Sequence, residues 1–182
     1  MLDIVLQFDK QLFHVLNGTI VSDFTDTFFP ILTSVQNIWP LYLLLAIFLL
    51  YKFRLTGVYA LLSLALTLGI MDQVSTHILK PWFARERPCR QETELRLLVP
   101  CGPGQSFPST HAVNNACLAI FLSILFPMLR IPIVIFAFLI SYSRIYVGVH
   151  YPLDIFGGMI IGAVFGFASA TVLNYALRRF ST

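Results

Sequence analysis

Charge is what this chain has least of. Asp, Glu, Lys and Arg make up 12% of its 182 residues, half of the ~25% usual in a soluble domain. Hydrophobic residues reach 57%, and mean hydropathy is +0.79. That shortage of charge excludes a soluble fold. A net charge of +3, scattered rather than clustered, excludes a nucleic-acid-binding surface. The chain has no long internal repeat and no low-complexity tract, and its length suits one helical bundle without a second sizeable domain. The first residues lack a basic segment and carry Asp3, so no secretory signal is expected there. What is left is an all-α, polytopic transmembrane bundle forming a single domain over residues 1–182.

Apolar runs near residues 38–53, 58–78, 112–129, 131–148 and 155–177 are long enough to approach or cross a hydrocarbon core of about 30 Å. Residues 1–34 form a different, N-terminal region. There Val5, Phe8, Leu12, Val15 and Leu16 recur at helical spacing, with Asp3, Asp9, Lys10 and Asn17 between or beside them, which reads as an interfacial amphipathic helix. Residues 20–34 carry Asp23 and Asp26, an imperfect sixth span, so the expectation is five to six crossings. Gly158, Gly162 and Gly166 stand four apart in the last run, a stripe of small residues that lets helices approach closely.

Three short polar segments interrupt these runs: Lys80-x6-Arg87-Pro88, Pro108-Ser109-Thr110-His111, and Ser143-Arg144-x5-His150-x3-Asp154. If the five spans are threaded through a bilayer, Lys80, His111 and His150 all emerge on one side. Residues 79–108 form the one long connection, an active-site loop with candidates at both of its ends. Each segment also has a plainer reading. Lys80, Arg85, Arg87 and Arg90 resemble a juxtamembrane cluster meeting lipid headgroups. Ser109 is a good helix N-cap, and the His150/Asp154 pair resembles a hydrogen bond tying a loop to a helix. Arg144 resists such a reading, because it follows an apolar run with no carboxylate near it in sequence. All three plain readings would have to coincide, in order and on one face.

The order and spacing of these segments resemble the type 2 phosphatidic acid phosphatase superfamily, which includes membrane lipid phosphatases and soluble haloperoxidases. The family pattern K-x6-RP, PSGH, SR-x5-H-x3-D is met throughout, except that Thr110 stands where Gly is usual. That change keeps a backbone N–H and adds a side chain that narrows the pocket. The resemblance covers residues 58–177. It implies a phosphohistidine intermediate and a bacterial-type enzyme acting on undecaprenyl diphosphate, phosphatidylglycerophosphate, phosphatidate or lipid A, with the first favoured.

The residues support that chemistry directly. A phosphate ester repels nucleophiles until its charge is neutralised. Lys80, Arg87 and Arg144 supply cations, Arg with a fork suited to phosphate oxygens. Backbone N–H groups at Ser109 and Thr110 add donors at a helix N-terminus. His150 is the expected nucleophile, oriented by Asp154, and His111 the expected acid and base. An exchange of roles between the two histidines stays open, although only His150 has a carboxylate at a fixed short spacing. A metal is disfavoured because three cations surround the His/Asp set, and no cofactor is expected. His14 and His77 read as interfacial or packing residues, and Tyr142, Tyr146 and Tyr151 as aromatic belt and pocket wall. The rival function is a protein that holds a phosphorylated lipid without hydrolysing it, for which an oriented imidazole is unnecessary. The expected partners are a lipid phosphate and the bilayer, with oligomeric state left open.

Lys52, Arg54, Arg130, Arg178 and Arg179 cluster at the ends away from the motifs, which places that face and the C-terminus in the cytoplasm of a bacterial inner membrane. The long loop carries an equal cationic count, discounted because several of its cations are assigned to phosphate. The active face then lies outside the cytoplasm, where oxidation is permitted. Cys89 and Cys101 would form a disulfide there, two unpaired thiols being the alternative, and Cys117 reads as packing.

Overall fold

The computed structural model describes residues 2–19 and 21–180, and among these the only regular secondary structure is helical. Eight α-helices follow in order: α1 Leu2–Gly18, α2 Asp23–Thr33, α3 Val35–Val74, α4 Lys80–Phe83, α5 Pro88–Gln91, α6 Thr110–Leu125, α7 Arg130–Tyr146 and α8 Pro152–Phe180. A π-helical turn, Ser75–Leu79, joins α3 to α4, and a 3-10 turn, Pro127–Leu129, precedes α7.

The 40 residues of α3 are not straight. Arg54 leaves helical geometry (φ 48°, ψ −121°), and a Cβ placed on Gly57 would come within 2.4 Å of the Leu49 carbonyl oxygen. Residues eight apart on one straight helix lie about 12 Å apart, so the chain doubles back at Arg54 into two antiparallel arms. These arms correspond to the first two spans read from hydropathy. By length and composition, Val35–Gln91, Pro127–Tyr146 and Pro152–Arg179 are long and apolar enough for a membrane, and Thr110–Leu125 is a shorter apolar helix. The imperfect span at residues 20–34 corresponds to a short helix. Ile20 lies outside the described residues, and α2 has 11 residues, about 17 Å of helix against a core of about 30 Å. Ser22 starts α2 with a reciprocal capping box to Thr25.

At the centre, α6 lies against α8. Ten of its 16 residues are buried. The glycine stripe explains how close the two helices come: a Cβ on Gly162 would meet the Val113 carbonyl oxygen at 2.1 Å, and one on Gly166 the Cys117 carbonyl oxygen at 2.5 Å. Leu49, Leu64, Phe121, Leu122, Phe126 and Ala170 complete the core at the end remote from the three motifs. There Phe53, beside the α3 turn, meets Phe126 with ring centroids 4.1 Å apart.

The N-terminal helix is amphipathic, as its apolar spacing predicts, with Val5, Phe8 and Val15 exposed on the side that an interfacial helix turns to lipid. Asp9, Phe13 and Asn17, spaced four apart, form the face buried against the protein. That face crosses the end of the bundle that carries the motifs.

Replacing Gly162 by Val is expected to lower the stability of the purified protein in detergent by about 1–3 kcal/mol or more. Gly69→Ala, at a position with nothing within 4 Å of an added Cβ, serves as the control and should leave the melting temperature unchanged or slightly raised.

Candidate active site

The three polar segments converge as the threading required. His150 lies in the five-residue connection between α7 and α8, is 2% exposed, and receives Arg87 from the long loop: Arg87 Nη1 donates to His150 Nε2 at 3.0 Å and to the Val149 carbonyl at 3.2 Å. The other ring nitrogen, Nδ1, faces Ser106 Oγ at 3.3 Å and Asp154 Oδ2 at 3.5 Å. This fixes the tautomer. With its proton on Nδ1 the ring presents the Nε2 lone pair to Arg87, toward the cationic side of the site. Burial, opposed by the Asp154 carboxylate, brings the His150 pKa down to about 4, so the imidazole is neutral near pH 7.

Asp154 has no exposed surface. A buried carboxylate must be fully paired, and this one is. Oδ1 accepts from Arg85 Nη1 at 2.8 Å, and Oδ2 accepts from the backbone N–H of Tyr151 at 2.8 Å and from the Ser106 hydroxyl. The bond from Tyr151 is the reach-back half of a capping box at the start of α8, where the helix dipole also favours an anion.

The second segment is tied to the third by backbone, since Ser109 N–H donates to the Asp154 carbonyl at 3.1 Å. That N–H is therefore not a free phosphate donor. The first-turn N–H groups of α6 beyond it have no intrahelical partners. Nor does Ser109 cap α6 with its side chain: its Oγ is buried and unpaired, and so is Arg144 Nε. Two buried polar atoms without partners cost about 1–3 kcal/mol each, and both belong to residues expected to hold phosphate. Arg144 Nη1 donates to Thr33 Oγ1 at 2.5 Å, and His111 Nε2 lies 3.2 Å from the Thr33 carbonyl, so α2 fixes both side chains. Lys80 is half-buried and has no hydrogen bond or ion pair among the described residues. It feels the charges of Arg87, Arg144 and Asp154.

The long loop is held in shape. Cys89 and Cys101 form a disulfide with Cα atoms 5.9 Å apart, and closing so short a loop contributes about 3 kcal/mol in the chain-entropy model. Beside the bridge Arg90 donates to the carbonyls of Gly102 at 2.8 Å and Gly104 at 3.1 Å, and Arg87 donates to that of Pro103 at 3.3 Å.

Several residues that complete the site were given no part in it by sequence. Arg85, read as a member of a headgroup cluster, instead joins Asp154 to Asp9 of α1 and stacks 4.3 Å above the Tyr151 ring. Asp9 Oδ1 also accepts the Leu153 N–H at 2.8 Å, capping α8 from another helix. Asn17 closes the opposite side: its Nδ2 donates to the last carbonyls of α7, Ile145 at 3.2 Å and Tyr146 at 2.7 Å. Helix α1 thus fastens both ends of the connection that carries His150. The spacing of Asp9, Phe13 and Asn17 on one helical face was the available signal. Tyr146 and Tyr151 are not belt residues either. Both are fully buried, with hydroxyls donating to Asp26 at 2.5 Å and Glu92 at 2.8 Å. His14 is exposed beside Glu92, and His77 is exposed.

A cavity of about 470 Å³ opens from this site between the two arms of α3 and α6, rimmed by Thr110 and His111 and walled by Leu45, Leu49, Leu64 and Leu68. The groove thus reaches the site at Thr110 and His111, with Arg144 bound to the same Thr33 that His111 meets.

A family model described as the PAP2 superfamily matches residues 56–178. The chain is 38% identical over 175 residues to a lipid A 4'-phosphatase of Bacteroides thetaiotaomicron, covering 91% of this chain and 77% of the relative. It is 36% identical over 101 residues to the undecaprenyl-diphosphatase BcrC of Bacillus subtilis, covering 54% and 51%. The crystal structure of Aquifex aeolicus LpxE superposes with a TM-score of 0.68 at 30% identity, over 88% of this chain and 93% of that one.

Arg85→Met and Asp9→Asn are expected to reduce phosphate release from a lipid phosphate by roughly 10- to 100-fold, the range typical of groups that orient a functional ligand from behind. The loss should fall on kcat rather than KM, as steady-state kinetics in mixed micelles will show. A change confined to KM would contradict an orienting role.

Proposed function

The chain belongs to the PAP2 superfamily and is a membrane-embedded lipid phosphatase, and from that premise we propose that it hydrolyses the 4'-phosphate of an acylated glucosamine lipid of the lipid A type through a phosphohistidine on His150. The observation that carries the catalytic part is the neutral, buried His150 held between Arg87 at 3.0 Å and the Ser106/Asp154 pair. The substrate reading rests on the similarity that runs through 91% of the chain. Mere retention of a lipid phosphate, the non-hydrolytic alternative, has no use for such a ring.

In the proposed reaction the Nε2 lone pair of His150 forms a bond to phosphorus as the bond from phosphorus to the lipid oxygen breaks. Arg87, Arg144 and Lys80 neutralise the transferring group, with Ser109 Oγ and the first N–H groups of α6 as further donors. His111 donates its Nε2–H to the Thr33 carbonyl at 3.2 Å and is neutral in the free site because burial lowers its pKa. The proton it passes from Nδ1 to the departing lipid oxygen is therefore one taken from the substrate's own monoprotonated phosphate, whose negative charge beside the ring favours the imidazolium. Water then attacks phosphorus, the nitrogen–phosphorus bond breaks, and the proton returns to His111. The Arg85 pair with Asp154 keeps that carboxylate ionised, so it stabilises positive charge on His150 as the intermediate forms. The lipid tails lie in the groove beside His111, continuous with the bilayer. All these groups act as parts of one domain spanning residues 1–182, in which 1–34 and 79–108 supply the site rather than form separate units.

Undecaprenyl diphosphate is the second reading, favoured by the similarity to the Bacillus subtilis relative, which extends over 54% of this chain. The two are separated by free phosphate released from a detergent-solubilised panel of lipid A, undecaprenyl diphosphate, phosphatidylglycerophosphate and phosphatidate. Lipid A is expected to give the highest kcat/KM. His150→Ala should reduce release by at least 10³-fold on every substrate and Asp154→Asn by less, with both proteins folded. Near wild-type turnover by His150→Ala would overturn the covalent mechanism.

The proposed location is a bacterial inner membrane, with the active face outside the cytoplasm. The Cys89–Cys101 disulfide supports that side, because such bonds persist in oxidising compartments. Arg54 and Arg130 flank the Phe53–Phe126 contact at the opposite end, in keeping with a cytoplasmic face rich in cations. A topology reporter fused after Thr182, a residue beyond the described ones, is expected to give a cytoplasmic signal, and a periplasmic signal would reverse the orientation.

A further inference from the structure

One polar side chain in the apolar groove has no part in the mechanism. Asn114 lines the cavity on α6, three residues beyond His111, so the two share a helical face with about 5–6 Å between their Cβ atoms. Its Oδ1 is enclosed and has no hydrogen-bond partner. The neighbouring Asn115 is different: it is tied to Tyr42 Oη and to the His111 carbonyl, each at 3.0 Å. A carboxamide oxygen left without a partner beside an apolar groove is costly. A leucine or methionine would fill the same space at no such cost, so Asn114 is poor as packing and suited to a polar partner that arrives with the substrate.

The position limits what that partner is. His111 sits at the oxygen that links phosphate to lipid, so a group meeting Asn114 lies a few bonds further along, where the headgroup passes into its chains. In an acylated phospholipid or sugar lipid that place holds an amide or ester linkage, with a carbonyl and, for an amide, an N–H. A half-turn of the carboxamide aims either its oxygen or its NH₂ into the groove, matching both. A polyprenyl chain offers only hydrocarbon there.

Resting on the lipid A-type reading above, we propose that Asn114 is a specificity-determining residue that hydrogen-bonds the amide or ester linkage by which an acyl chain joins the phosphorylated headgroup.

The test uses the full-length enzyme in mixed micelles and three probes: a glucosamine 4-phosphate carrying amide- and ester-linked acyl chains, the same sugar phosphate with ether-linked alkyl chains, and undecaprenyl diphosphate. Wild type is expected to favour the acylated probe over its ether counterpart by 10- to 100-fold in kcat/KM, the discrimination expected when one analogue leaves a site group unpaired. Asn114→Leu should lose that preference through a drop of similar size on the acylated probe alone, with the ether and polyprenyl probes within about twofold of wild type. Asn114→Gln is expected to recover part of the preference. If Asn114→Leu lowers all three probes together, or leaves the acylated probe unchanged, the inference fails while the substrate reading stands. If wild type releases no phosphate from the acylated probe but does so from undecaprenyl diphosphate, the substrate reading fails and the inference with it.

Discussion

A carboxylate without solvent exposure is tolerable in this fold because a guanidinium holds it. Asp154 pairs with Arg85, Arg85 pairs with the equally buried Asp9, and the chain of charges runs negative, positive, negative across three segments of sequence. Remove the central cation and two carboxylates face each other in a low-dielectric interior, where both cannot remain ionised. Protonated, Asp154 would accept more weakly from Tyr151 N–H and Ser106, the start of α8 would loosen, and the His150 ring would lose its tautomer. The His150 imidazole is therefore set by a charge balance that reaches it through Asp154 as much as by its own spacing.

Around that network the membrane imposes a second constraint. Helix α6 begins at the site and ends in the apolar core, and the glycines of α8 bring the two backbones nearly into contact at Val113 and Cys117. Tight packing there leaves little room for α6 to move, so Thr110, His111 and the rim of the groove keep fixed positions relative to His150. The groove forms on the other side of α6, where the folded-back arms of α3 stand off from it. One face of a single helix is thus packed for rigidity and the other left open for a lipid.

How much of this the sequence disclosed follows from where each interaction partner lies. The Lys80, His111 and His150 segments were legible because their spacings are short, and because hydropathy alone orders the crossings between them. The disulfide was legible from the two positions it joins. Arg85 was visible as a charge, yet its role was not, since one of its partners is 76 residues distant and the other 69. Ser106 carried no signal, as a lone serine in a loop has many uses. Tyr146 and Tyr151 misled because an aromatic near a membrane end suits both a lipid interface and a buried hydrogen bond, and only packing separates the two. The amphipathic pattern of α1 was read from its apolar residues, whereas the face that matters is marked by Asp9 and Asn17.

The hold of α1 on the connection at His150 has a consequence for how the protein is made. Asp9 leaves the ribosome 144 residues ahead of Leu153, whose N–H it caps, and Asn17 waits nearly as long for the carbonyls of α7. Every transmembrane segment between them must be inserted before those bonds can close. Helix α1 therefore finds these partners only after α7 and the start of α8 have been made, and a product truncated or half-inserted before them, however well its central helices pack, lacks the clamp that holds the connection at His150.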